Sequence, residues 1–126
     1  QGDTLMATLF ERLGGRDAVE AAVDIFYKKM MADDTVSPFF ESTDMVRQAA
    51  KQKAFLTMVL GGPNHYTGLD MREGHKHLVE KGLNDSHVDT VIKHLGDTLK
   101  ELGAEDEDIT EVAAIANSVR DDVLNR

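Results

Sequence analysis

An all-helical domain is the fold class this sequence predicts, on three observations. Apolar residues recur at helical spacing over most of the chain, only two prolines interrupt it, and the glycines gather at the joints between periodic stretches. No stretch alternates apolar and polar residues as a half-buried strand does. A chain of 126 residues fills one core and leaves no room for a second. The expectation is therefore a single domain over 1–126, with 1–6 as a poorly ordered extension.

Thr8 to Leu13 predicts a short helix closed by Gly14-Gly15, since glycine readily takes the left-handed conformation that ends a helix. From Arg16 to Met31, Val19, Ala22, Val23, Phe26, Tyr27, Met30 and Met31 fall on one helical face, the clearest periodicity in the chain. Asp33, Asp34 and Pro38 break it, and Phe39-Phe40 follow in a short turn. A second long helix runs from a cap at Thr43 or Asp44 to Leu60, where Gly61-Gly62-Pro63-Asn64 stops it. After a loop to about Asp70, Met71 to Glu80 forms a shorter helix. Lys81-Gly82 and Asn84-Asp85-Ser86 then supply a stop and a new cap. Helices from about Ser86 to Leu102 and from Asp106 to Leu124 complete the pattern, each with one apolar stripe.

The net charge of −9 argues against nucleic acid and against anionic membranes, because both need a basic patch. No run approaches the ~20 apolar residues of a membrane span, and the start lacks a secretory pattern. Without cysteine there are no disulfides, thiolate metal sites or cysteine nucleophiles. A soluble, cytoplasmic monomer is the expectation. The acidic clusters Glu105 to Asp108 and Asp121-Asp122 read as a helix start and a solvated face. Gly61-Gly62 follows a helix, not a strand, so it does not read as a phosphate loop.

Chemistry concentrates on few residues. His75 shares its helix face with Met71, Leu78 and Val79, which suits a hydrogen-bonded core histidine as well as a metal ligand. On the second long helix Gln48, Gln52 and Phe55 stand at i, i+4 and i+7, with Lys51 beside them. Each amide buried there without a partner costs about 1–3 kcal/mol, unless the pair forms only the polar flank of the stripe. Tyr27 adds a hydroxyl on an apolar face, as an ordinary core tyrosine also would. An imidazole facing a tyrosine and two glutamines, with Phe39, Phe40 and Phe55 nearby, describes a pocket for a flat apolar cofactor carrying a polar diatomic ligand. His77 lies ~200° around the helix from His75, so the two cannot grip one metal as an i, i+4 pair does. His65, His87 and His94 are expected to face solvent.

At these residues the sequence resembles the group I truncated globins of cyanobacteria, green algae, ciliates and other bacteria. The resemblance runs from about Leu9 to Asn125, through Leu13-Gly14-Gly15, Phe26-Tyr27, Phe39-Phe40, Gln48 to Leu56, Gly61-Gly62, Met71-Arg72-Glu73-Gly74-His75 and Val123-Leu124-Asn125. It implies a two-over-two helical sandwich around haem b, with His75 as the proximal iron ligand and Phe40 packed on the porphyrin. Tyr27, Gln48 and Gln52 would then stabilise the distal ligand, while Phe55, Met71 and Leu78 contact the cofactor and Tyr66 and Arg72 approach its propionates. Lys51, 24 residues before His75, stands where some relatives supply a sixth iron ligand. Coordination needs a neutral amine, and deprotonating an ordinary lysine at pH 7 costs roughly 4–5 kcal/mol. A lysine paired with a propionate avoids that cost. The last helix has no histidine, unlike cyanobacterial relatives that join one to a haem vinyl, so haem is expected to be non-covalent, with His77 the outside candidate for such a link.

The leading expectation is binding of O2, NO and CO at ferrous haem, with conversion of NO to nitrate supported by an electron donor from outside the chain. The alternatives are a six-coordinate electron-transfer or redox-sensing protein with Lys51 and His75 on the iron, and a helical interaction protein with no cofactor.

Overall fold

A computed structural model describes residues 8–39, 45–62 and 68–126, with 45–48, 68–71 and 74 as backbone only. The expected extension at 1–6 lies outside the described residues. So do the expected caps Thr43 and Asp44.

Helix α1 (Leu9–Leu13) starts at Thr8, whose hydroxyl accepts from the Glu11 amide at 3.2 Å. Gly14 and Gly15 both have positive φ, 118° and 71°, which reverses the chain into α2 (Arg16–Met31) within two residues. Helix α2 has the bounds its periodicity predicts, and it buries Val19, Ala22, Val23, Phe26 and Met30 along that face. A 3-10 turn at Ser37–Phe39 follows, then α3 (Met45–Val59). The Phe10 amide donates to the Leu60 carbonyl at 2.9 Å, pinning α1 to the end of α3. This contact explains Gly62, where a Cβ would come within 2.6 Å of the Phe10 ring.

Helix α4 (Gly68–Glu80) begins three residues before the predicted Met71. Glycine costs about 1 kcal/mol in a helix interior, which is why Gly68 reads as loop, but that penalty is an interior one and does not govern a helix's first residue. Helix α5 (Asp85–Glu101) is capped by Asn84, whose side-chain oxygen accepts from the Ser86 amide, while its own amide donates to His87 Nδ1. Its stripe supplies the fully buried Leu95 and Leu99.

The predicted helix from Asp106 to Leu124 is two helices, α6 (Asp106–Ser118) and α7 (Arg120–Val123), broken at Val119. Asn117 Nδ2 donates to the Ala113 carbonyl and Ser118 Oγ to that of Ile115. Side chains thus compete for the carbonyls of the last turn, and the Val119 amide falls back on an i−3 bond to Ala116. Neither glycine nor proline marks this break, so periodicity carries the eye across it.

Helix α2 packs on both α3 and α5, and α5 packs on α6, so the α2–α3 pair lies across the α5–α6 pair. This is the expected two-over-two sandwich, and no strand occurs among the described residues. The core between the pairs includes Phe26, Leu56, Leu95, Leu99 and Val112. Helix α4 stands apart from this arrangement and docks on α7. No described helix is long and apolar enough to cross a membrane.

Candidate haem site

A mainly apolar cavity opens where the two helix pairs and α4 meet. Phe26 and Met30 of α2 form one wall, Val36 and Phe39 of the turn another, and Lys51, Gln52 and Phe55 of α3 a third. His75, His77 and Leu78 enter from α4, and Val88, Val91 and Ile92 from α5. Ala116, Val119 and Val123 close the end nearest α6 and α7. Helical spacing explains the α3 group, since Lys51, Gln52 and Phe55 fall within one turn of each other.

The polar groups of this cavity are few. Gln52 is 5% exposed, and neither its amide nitrogen nor its oxygen has a hydrogen-bond partner among the described residues. An amide left this way costs about 1–3 kcal/mol per group, so its retention in an apolar wall calls for a polar ligand inside the cavity. His75 contributes an imidazole to the same cavity from a different helix. An apolar slot lined by the imidazoles of His75 and His77 and one amide unsatisfied among the described residues fits haem carrying a small polar ligand, and no group of three or more His, Cys, Asp or Glu among the described residues offers a bare-metal site instead.

Of the residues singled out in the sequence, the structure gathers Lys51, Gln52, Phe55, His75 and Leu78 around this cavity. Tyr27 is half-buried on α2, next to Phe26, whose ring makes the wall at that point. Gln48 lies one turn before Gln52 on α3, and the side chains of Gln48 and Met71 are outside the described residues, as are Phe40, Tyr66 and His65 entirely.

Arg72, expected near the propionates, donates from Nε to Asp122 at 2.8 Å and from a terminal nitrogen to the Arg126 carbonyl at 2.9 Å. Two expectations need correction. His87 does not simply face solvent, because its ring caps α5 and meets Phe39 edge-on at 4.8 Å between centroids. His94 is paired with Asp33, Nε2 to Oδ2 at 2.7 Å, with 16% of its side chain exposed. Apart from the His87 cap contact with Asn84, three residues away, these partners lie 48 to 61 residues away in sequence, beyond the reach of local patterning. His77, though exposed, lines the cavity together with His75. The valines, alanine and isoleucine of α5 to α7 that complete the walls read in sequence as core, since an apolar stripe looks alike whether it packs on another helix or on a cofactor.

The Asp33 cluster gives a pH prediction. Bonds from the Thr35 hydroxyl, the His94 ring and the Thr35 amide lower the Asp33 carboxyl from 3.8 to about 2. A lowered carboxylate contributes stability above its ordinary value and loses it as pH falls toward the folded one. Asp33→Asn is therefore expected to be less stable than the parent at neutral pH, the gap closing as pH falls from about 3.8 to about 2. Denaturant melts across that range check this, and a gap independent of pH contradicts it.

The fold and this pocket define a haem globin of the short, two-over-two class. The family described as bacterial-like globin matches residues 8–125. A group 1 truncated hemoglobin of Tetrahymena thermophila is 50% identical over 94% of this chain and 96% of its own length. One from Synechocystis is 50% identical over 96% of this chain and the whole of its own. Among solved structures, the 2/2 hemoglobin of Synechococcus sp. PCC 7002, in the cyanomet state with covalently attached heme, superposes with a TM-score of 0.85 at 45% identity, covering 95% of this chain and all of that one. Truncated hemoglobin from Tetrahymena pyriformis in the Fe(III) form gives 0.82 at 48% identity, covering 94% and 98%. The chain belongs to the group 1 truncated hemoglobins. Its cofactor is haem b, and as a globin it binds diatomic gases through that haem.

Proposed function

We propose that this single-domain chain acts as a monomer that holds O2 and converts NO to nitrate. In this reading His75 is the iron's protein ligand and Gln52, Gln48 and Tyr27 hold the gas. The observation that supports it is the Gln52 amide, buried in the cavity wall with both polar atoms unmatched among the described residues. Haem supplies the iron that takes O2, NO or CO and the electron that turns O2 plus NO into nitrate, so an electron donor from outside the chain must restore it. The residues contribute retention and shelter. The Gln52 amide donates to the outer atom of the gas, Tyr27 on α2 adds a hydroxyl, and Phe26, Phe39 and Phe55 exclude water that would compete for those donors. Phe40, Met71, Leu78 and Tyr66 complete the contacts of a haem held without a covalent link, His77 notwithstanding.

Stopped-flow mixing of the O2-saturated ferrous protein with NO tests this. Stoichiometric nitrate and slow O2 release in the absence of NO are expected, and rapid O2 loss unchanged by Tyr27→Phe defeats the retention. A second reading rests on the place of Lys51, which lines the same cavity as His75. As a sixth ligand it would make an electron-transfer or redox-sensing site. A low-spin spectrum that grows as pH rises and vanishes in Lys51→Ala favours that reading, and a high-spin spectrum at every pH rejects it.

A further inference from the structure

The helix that carries His75 is held by the C-terminus. Among the described residues the principal helix partner of α4 is the four-residue α7, not the sandwich. The joint is polar and specific. Arg72, one turn before His75, gives its Nε to Asp122 and its terminal nitrogen to the Arg126 carbonyl. Its own backbone carbonyl accepts from Asn125 Nδ2 at 3.0 Å.

Asn125 is the positive-φ residue other than glycine among the described residues, at 56°. It closes α7 in the left-handed cap that glycine normally fills, with the Arg126 amide reaching back to the Asp121 carbonyl. Glycine would take this backbone with less strain but has no amide to offer Arg72, so the asparagine side chain is what the position gains. The C-terminus is itself anchored. Arg126 makes a two-pronged pair with Asp85 at 2.8 and 3.0 Å, and Arg120 binds Asp85 and Asp89, all at the start of α5. A continuous path therefore runs from the sandwich through Asp85, Arg126 and Arg120, then Asp122 and Asn125, to Arg72 and the turn that presents His75.

We infer that Asp122 and Asn125 are positioning residues, which fix the rotation and height of α4 and so the angle at which His75 meets the cofactor. The inference rests on the reading of His75 as iron ligand. It assigns Asp122 and Asn125 a role in a site whose wall neither of them lines.

The test uses the cyanide complex of the ferric haem protein, so that the far axial position is the same in every variant. Proton NMR of that complex reports the orientation of the His75 ring through its hyperfine-shifted resonances. Asp122→Asn and Asn125→Ala are each expected to move these resonances and to speed amide exchange at 72–79 by about tenfold, the loss of one charge-assisted or half-buried hydrogen bond. Asp122→Glu, which keeps the carboxylate, is expected to restore most of the parent pattern. Arg12→Ala, which breaks the Arg12–Asp108 pair between α1 and α6, outside this path, should move neither. Parent-like ring resonances in both Asp122→Asn and Asn125→Ala overturn the inference, whatever the melting temperatures do. If His75→Ala keeps the shifted ring resonances, the ligand assignment fails instead, and the two failures are distinct.

Discussion

Replacing His75 with glycine is expected to weaken haem binding by at least ~100-fold, the upper end of what losing a mere outer partner of a metal ligand costs. Phe26, Phe55, Leu78 and their neighbours would still bury the porphyrin, so some haem remains associated and the Soret band broadens but does not vanish. The truncation opens a space the size of an imidazole at the α4 wall. Added imidazole should enter it and restore both the affinity and the parent spectrum of the ferrous CO complex. Haem transfer to an excess of an apoglobin measures the affinity, and visible spectra with and without imidazole measure the rescue. Parent-like haem retention in His75→Gly would mean that another cavity group carries the iron, with Lys51 and His77 the nearby candidates. The imidazole arm matters because a variant that fails through misfolding is not repaired by a small heterocycle.

What is legible in the sequence follows from the distances involved. A cavity-lining residue on an amphipathic helix is legible locally: His75 shares a face with Leu78, and Gln52 with Phe55, because residues three and four apart are neighbours on any helix. The same periodicity placed α2 from Arg16 to Met31. A partner 50 residues away leaves no such trace. Nothing around Arg72 announces Asp122, and nothing around His94 announces Asp33, so local patterning leaves both pairs unseen. The resemblance to truncated globins supplied the sandwich, which periodicity alone could not, since helical stripes fix which faces are buried but not against what. The break at Val119 escaped for a third reason. It is made by Asn117 and Ser118 turning back on their own helix, a choice of rotamer and not of composition.

Gln52→Leu is expected to act in opposite directions on the two forms of the protein. The Gln52 amide sits in an apolar wall with neither polar atom bonded to the described residues, so removing it where no gas is bound is expected to relieve about 1–3 kcal/mol. Leucine has similar volume, so the α3 wall between Phe55 and Lys51 neither collapses nor overpacks. The apoprotein should therefore melt several degrees higher than the parent. With Gln52 as the proposed donor to the gas, O2 release from the haem-bound variant should quicken by about tenfold, the equivalent of one hydrogen bond of ordinary strength. Thermal melts of the apoprotein and stopped-flow displacement of O2 by CO in the ferrous protein read the two effects separately. If the apoprotein instead loses stability, Gln52 has a structural partner, and its place as gas donor falls with that result. If O2 release alone is unchanged, the gas is held by Tyr27 and Gln48 and not by Gln52. Opposite signs in the two forms are what function demands of a polar group in an apolar wall: a cost carried by the empty protein because the gas, once bound, removes it.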